Sequence, residues 1–215
     1  MPAIPSAAIG RLVTYLRILG QLEAAGIQQT SSGDLAREAQ VSAFQVRKDL
    51  TRFGSFGKRG AGYTVATLRR EIRAILGLTR AWNVALVGMG RLGQAIADYP
   101  NFDEYDFSIR AFFDVDERKV GSLISGIEVS HPRDMSRVVA EREIDIGFIT
   151  VPQGSAQTAA DDLVAAGVQG ILNFAPTIVN VPPSVKVETV DFLAGLKRLA
   201  FYLKPQVEGE PVAEE

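Results

Sequence analysis

Hydrophobic residues recur at helical spacing from the start of the chain. Ile9, Leu12, Val13, Leu16, Leu19 and Leu22 fall on one face behind Pro5, a residue suited to a first helical turn. The pattern predicts a helix ending near Gly26. Thr30, Ser31 and Ser32 offer N-caps, Ser31 with Asp34 makes a capping pair, and a short helix follows over Gly33–Ala39. Val41 breaks the pattern as a turn residue. Ser42 then caps a third helix, and Gln45 three residues on predicts a capping box. Val46, Leu50 and Phe53 form its inward stripe, which leaves Gln45, Arg47, Lys48 and Arg52 on the other face. A glycine-rich run, 54–62, carries Lys58 and Arg59 at its centre and leads into a strand-like tail at Tyr63, expected to pack on the core. This predicts a β-hairpin tip, followed by a fourth helix over Thr67–Leu78 that turns Leu68, Ile72, Ile75 and Leu76 inward and ends at Gly77.

From residue 81 the rhythm changes to short apolar runs alternating with helical segments, the pattern of a parallel sheet. Strands are expected at Trp82–Val87, Phe107–Phe113, Ile127–Val129, Ile144–Val151, Gly170–Asn173 and Val185–Val190. Helices are expected at Gln94–Tyr99, Pro132–Ala140 and Gln153–Ala166, the last with Gly167 at its C-cap. Asp191 caps a final helix, Phe192–Leu203, whose broad apolar surface (Phe192, Leu193, Leu196, Leu199, Ala200, Leu203) must be covered by its own sheet or by a partner. The expected organisation is a winged-helix domain (1–80), a Rossmann-like domain (81–190), a C-terminal helix that serves dimerisation (191–204) and a flexible acidic tail (205–215).

Two short helices joined by a tight turn, the second amphipathic and basic outside, make a helix-turn-helix, and the glycine-rich hairpin makes its wing. The second helix of such a pair enters the major groove of double-stranded DNA. Gln45 suits an adenine edge and an arginine a guanine edge. Lys48 and some of the arginines (Arg47, Arg52) suit phosphates, Ser42 and Ala43 stand at the helix start, and Lys58 and Arg59 suit phosphates or a minor groove. The charge distribution agrees. The chain has a net charge of -2, but residues 1–80 carry 12 Lys/Arg against 5 Asp/Glu, whereas residues 81–215 carry 11 against 20.

The second unit holds Gly88-Met89-Gly90-Arg91-Leu92-Gly93, a G-x-G-x-x-G run with a strand before it and a helix after it. Gly88 permits the turn, Gly90 lets a pyrophosphate approach, and Gly93 allows close helix packing, while the backbone N–H groups of Met89, Arg91 and Leu92 are candidate phosphate donors. Asp114 ends the second strand 21 residues beyond Gly93, the place for an acid that binds the adenosine ribose and favours NAD(H) over NADP(H). Asp116 caps the following turn. Strand ends at Val115, Thr150, Val151, Pro152, Asn173, Phe174 and Ala175 fall around the same crevice. Asn173 either holds a nicotinamide or ribose group or caps its own turn.

The chain has no cysteine and one histidine, which excludes thiol chemistry and leaves no expected metal site. His131, before Pro132, reads as a cap residue rather than a catalytic one. No leader-like segment and no spanning apolar run is present, so a cytoplasmic protein is expected. Two other functions fit parts of the pattern: a small NAD-dependent oxidoreductase, and a nucleotide-binding scaffold for an acyl-CoA or another nucleotide. The basic winged segment favours neither.

Over nearly its full length the sequence resembles the Rex family of bacterial redox-sensing repressors. The resemblance is carried by Ser6–Leu16, Gln45-Val46-Arg47-Lys48-Asp49-Leu50, the 53–63 glycine-rich run, Val87–Gly93, Phe113-Asp114-Val115-Asp116, Asn173-Phe174-Ala175-Pro176 and Val190-Asp191-Phe192-Leu193. Thr51-Arg52 departs from the family's usual Ser-Tyr and adds a charge beside the recognition helix. The resemblance implies a non-enzymatic repressor. It implies a homodimer in which the C-terminal helix is exchanged, palindromic operator DNA bound in the NAD⁺ or apo form, and release by NADH at genes of respiration and fermentation. It also implies that Phe192 reaches the nicotinamide end of the partner's pocket. Arg17, Tyr99 and Asp191 would form a polar switch, with Arg17 pairing Asp191 across the dimer in one state and Tyr99 taking that acid in the other.

Overall fold

A computed structural model of the chain describes residues 4–54, 56, 62–99 and 102–204. The wing tip, with Lys58 and Arg59, and the tail from 205 onwards lie outside the described residues. Two compact units form, one up to Ala81 and one from Trp82.

The first unit is built from α1 (Ser6–Ala24), β1 (Gln29–Thr30), α2 (Ser32–Ala39), α3 (Ala43–Thr51), β2 (Tyr63–Thr64) and α4 (Val65–Ile75). Ser31 closes a full capping box on α2: its hydroxyl accepts from Asp34 N, and the Asp34 carboxylate accepts from Ser31 N. The face of α1 that turns inward is rotated from the expected stripe. Ala8, Leu12, Tyr15, Ile18 and Leu19 are buried, whereas Ile9 and Val13 are exposed. Tyr15 can take a core position because its hydroxyl finds a buried acceptor, which hydropathy does not register. The α1 core residues pack with Leu35, Val46, Leu50, Val65, Leu68 and Ile72, and Tyr63 and Phe53 lie partly buried against them. The fourth helix begins at Val65 rather than Thr67 because Val65 is itself a core residue. The described partner of the Tyr63 strand is β1, antiparallel, rather than a neighbouring hairpin arm.

The second unit carries a seven-stranded sheet in the order β5-β6-β4-β3-β7-β8-β9. Its strands are β3 (Trp82–Val87), β4 (Phe107–Phe113), β5 (Leu123–Ile124), β6 (Ile127–Ser130), β7 (Ile146–Ile149), β8 (Gly170–Asn173) and β9 (Lys186–Thr189), all parallel except β5. β5 was not evident from the pattern. It is a two-residue edge strand that turns through Ser125 and Gly126, both at positive φ, to pair with β6. Side chains alternate along β3: Ala85 and Val87 pack with α6 (Met135–Glu141) and α7 (Ala156–Ala165), whereas Val84 and Leu86 face Phe112, Phe148 and partly buried Ile96 of α5 (Arg91–Ala97). Gly147 lets α7 sit close, since a Cβ there would meet Leu163 Cδ1 at 2.5 Å. β4 and β7 flank β3 on opposite sides, so successive crossovers diverge at the C-terminal end of β3 and leave a crevice there. The final helix, α8 (Phe192–Leu203), is capped by Asp191 Oδ1, which accepts from Ala194 N at 2.9 Å.

Candidate functional site

The loop after β3 occupies that crevice, and its three glycines do different work. Gly88 has φ +100°, and a Cβ there would meet Val151 Cγ1 at 2.7 Å. A Cβ on Gly93 would lie 2.1 Å from the Gly88 carbonyl oxygen, so α5 packs directly on the turn. A Cβ on Gly90 would meet nothing within 4 Å; this backbone faces open space. Thr150 braces the turn from β7, its hydroxyl donating to Gly88 O at 2.7 Å. The adjoining cavity, about 400 Å³, is lined by Gly88, Gly90, Asp114, Val115, Thr150, Val151 and Pro152. It also brings in Lys119, Pro132, Ser155, Thr158 and Asp162, none of which the sequence pattern singled out. Arg91 and Leu92 are exposed at the start of α5.

Two sequence expectations change here. The Met89 N–H is not a free phosphate donor: it donates to Asp114 Oδ2 at 2.8 Å, and the Met89 side chain is core. Asn173 takes the second of its two possible roles. Its Nδ2 donates to Thr177 O at 2.7 Å and its Oδ1 accepts from Ala175 N at 2.9 Å, so this fully buried amide holds the Phe174–Thr177 turn. Phe174 packs at a tilt against Phe148, ring centroids 5.8 Å apart and planes at 55°, and Ala175 is buried.

Asp114 is the most heavily bonded group of the crevice. Beyond the Met89 bond, Oδ2 accepts from Lys119 Nζ and Oδ1 from Asp116 N, both at 2.8 Å. Burial alone would raise its pKa. The hydrogen bonds from Lys119 and from the two backbone N–H groups outweigh that and hold it below the usual carboxylate value. His131 Nδ1 accepts from Arg133 N, a capping role.

In the first unit, Ser42 accepts from Gln45 N at 3.1 Å, but the reciprocal half of the expected capping box is missing. The Gln45 amide instead donates to Asp49 Oδ1 at 2.7 Å. Asp49, inside α3 and 0 % exposed, is the hub that periodicity missed. It also accepts from Arg11 Nε (2.5 Å), Arg11 Nη2 (2.8 Å) and the Tyr15 hydroxyl (3.1 Å), tying α3 to α1. Burial disfavours its charge, yet these donors hold its pKa below the usual value, while burial and the Asp49 bond push Tyr15 up to about 12. Arg47, Lys48 and Arg52 are exposed, and Arg47 Nη1 donates to Ser32 Oγ at the start of α2. Ala43 is half-buried. Phe44, 66 % exposed, adds a large apolar side chain to the same helix start, beside the expected Ser42 and Ala43.

Of the switch residues, Arg17 is exposed on α1, and Tyr99 is exposed with its ring edge-on to Phe102, centroids 5.7 Å apart. Asp191 spends one carboxylate oxygen on the α8 cap. Phe192, Leu196, Leu199, Phe201, Tyr202 and Leu203 are all exposed on α8. Among the described residues no helix is long and apolar enough to cross a membrane.

Residues 3–51 match a family model described as a putative DNA-binding protein N-terminus, and residues 79–177 match a CoA binding domain model. The chain is 59% identical over 198 residues to the redox-sensing transcriptional repressor Rex of Thermus thermophilus, covering 92% of this chain and 93% of that protein. It is 51% identical over 218 residues to the protein of the same name from Deinococcus radiodurans, covering 93% of each. A crystal structure of RSP in complex with β-NAD⁺ and operator DNA superposes with a TM-score of 0.89 at 36% identity, covering 94% of both chains. RSP in complex with β-NADH superposes with a TM-score of 0.85 at 34% identity, covering 94% of this chain and 95% of that one. With a winged helical unit, a Rossmann sheet crossing at a glycine loop, and this likeness along the whole chain, the protein belongs to the Rex family of redox-sensing transcriptional repressors.

Proposed function

We propose that the protein binds palindromic operator DNA through its winged unit when apo or loaded with NAD⁺, and releases it on binding NADH. The observation that carries this is the glycine loop: Gly88 and Gly93 admit no side chain, whereas Gly90 leaves its backbone open at the sheet crossover. That arrangement suits a pyrophosphate, with Arg91 and Leu92 N–H groups at the helix start and Asp114 and Val115 beside the adenosine ribose. Thr150, Val151 and Pro152 wall the cavity, and Phe174 follows β8 at the same end of the sheet. On the DNA side, α3 supplies Gln45, Arg47 and Lys48. Arg52 follows, Ser42 and Ala43 stand at the start, and the wing brings Lys58 and Arg59.

The protein acts as a homodimer, because a two-fold operator calls for a two-fold reader and the apolar side chains of α8 are left exposed by the described residues. Arg17, Tyr99, Asp191 and Phe192 serve that interface. NADH differs from NAD⁺ in nicotinamide charge and planarity, and only a difference in its affinity for the two dimer forms can move the equilibrium. Coenzyme A is the second reading, favoured by the family model over residues 79–177.

Alanine at Arg47 or Lys48 tests the division of labour. Each variant should weaken operator binding across sequences and lower the salt slope by about one phosphate contact, with NADH affinity unchanged. Unaltered operator affinity in both variants refutes the assignment of α3. Competition of NADH against coenzyme A in the same preparation separates the two ligand readings.

A further inference from the structure

An acid at the end of the second strand binds a free ribose 2′-hydroxyl and so favours it over a 2′-phosphate, most strongly where its charge stands alone. Asp114 does not stand alone. Lys119, which enters from the turn after β4, sets its ammonium 2.8 Å from Asp114 Oδ2, and both side chains line the cavity beside Gly88 and Gly90. The Lys119 side chain is 34 % exposed and Asp114 8 %, so the pair lies at the cavity wall rather than in bulk water. A carboxylate offers about four lone-pair positions. Met89 N, Lys119 Nζ and Asp116 N take three of them, leaving about one, on Oδ1. A ribose diol brings two hydroxyls, and Asp114 can accept from one only. The oxygen of the other can still accept, and an ammonium with three N–H groups has donors to spare after its bond to Asp114.

We propose that Lys119 is a ligand-binding and specificity-setting residue. Its ammonium donates to the adenosine ribose beside Asp114, and its charge limits how strongly NAD(H) is preferred over NADP(H). This rests on the nucleotide reading above. The pair is close to neutral, so a 2′-phosphate meets a carboxylate whose repulsion is largely offset. Removing either member exposes the other, and the two removals push selectivity in opposite directions. Arg118 does not substitute for Lys119, because its guanidinium is held on Asp116 through both Nε and Nη2.

The test is titration of the full chain with NADH and with NADPH, followed by the fluorescence of the reduced nicotinamide. Lys119→Met should weaken NADH by a few-fold and NADPH by at least about tenfold more, so that preference for NADH rises, since an unshielded charge at this range is worth that much. Lys119→Arg should keep the wild-type ratio. Asp114→Asn should lower the NADH/NADPH preference by about tenfold or more, leaving the lysine unpaired. If Lys119 only props the loop, Lys119→Met weakens both ligands equally and the ratio stays put; that outcome overturns the proposal. If the wild-type chain binds neither nucleotide, the nucleotide reading itself falls and the proposal with it.

Discussion

Replacing Asp49 by asparagine alters no volume but converts one of two buried acceptors into a donor. Four donors converge on the carboxylate: Arg11 Nη2 and Gln45 Nε2 at Oδ1, Arg11 Nε and the Tyr15 hydroxyl at Oδ2. An amide NH₂ on the Oδ1 side still faces Arg11 Nη2, which cannot reverse, although the Gln45 amide can turn and present its oxygen. On the Oδ2 side the Tyr15 hydroxyl can turn and accept, but Arg11 Nε still opposes it. Breaking one partner of a buried ion pair costs about 3–5 kcal/mol. The Arg11 side chain is 28% exposed and recovers some water, which brings the expected loss to about 2–4 kcal/mol. For a unit of this size that lowers the melting temperature by about 10–20 °C. Thermal unfolding of Asp49→Asn in the full chain, followed by circular dichroism, measures it. Operator affinity should fall alongside while NADH binding stays at the wild-type level. A melting temperature within about 2 °C of wild type, with operator binding intact, refutes the claim that this carboxylate holds α3 on α1.

Tyr15, pushed up to about 12, keeps its proton in the folded state at pH values where the unfolded chain has already lost it. It therefore contributes stability that is present below pH 10 and is lost as pH rises from about 10 to 12, on the order of 2–3 kcal/mol in all. Tyr15→Phe should remove that alkaline component from the unfolding profile, and an unchanged profile contradicts it. Asp49, held low, acts at the other end: its contribution is present above the ordinary carboxylate range and is lost as pH falls through its folded value. Asp49→Asn should flatten the acid limb of the same profile. Gly93→Ala places a Cβ 2.1 Å from Gly88 O and must push α5 off the turn. NADH binding by titration should be lost, apo operator binding retained, and stability lowered by about 1–3 kcal/mol. A variant that binds NADH normally shows that the turn and helix need no such contact.

Strands with strong apolar runs were legible to the residue: Trp82–Val87, Phe107–Phe113 and Gly170–Asn173 are β3, β4 and β8 as expected from the pattern. So was α8, marked by a capping aspartate and a long apolar face. Local chemistry explains the misses. The buried face of α1 depends on Tyr15, whose core position is licensed by an acceptor 34 residues away. Asp49 belongs neither to the apolar stripe of α3 nor to the polar set Gln45, Arg47, Lys48 and Arg52, so periodicity assigns it no role. It stood out only inside the Gln45–Leu50 stretch that carries the family resemblance, and its place one turn after Gln45 does not separate a buried hub from a solvated acid. Helices after β6 and β7 begin with single 3₁₀ turns, Pro132–Asp134 and Gln153–Ser155, because a proline at or just before each start fixes φ without a donor. In the crevice, glycine spacing gave the cradle, but Lys119 could not be ranked above neighbouring cations until its distance to Asp114 was known.

Control of DNA binding by nicotinamide redox state is decided by a single titration. A fluorescent palindromic operator is bound by the full chain at fixed salt, because phosphate contacts make affinity strongly salt-dependent, and is then titrated with NADH in the presence and absence of NAD⁺. The account predicts release by NADH, no release by NAD⁺ alone, and a shift of the NADH midpoint to higher concentration when NAD⁺ is present. Operator binding indifferent to both nucleotides would contradict it.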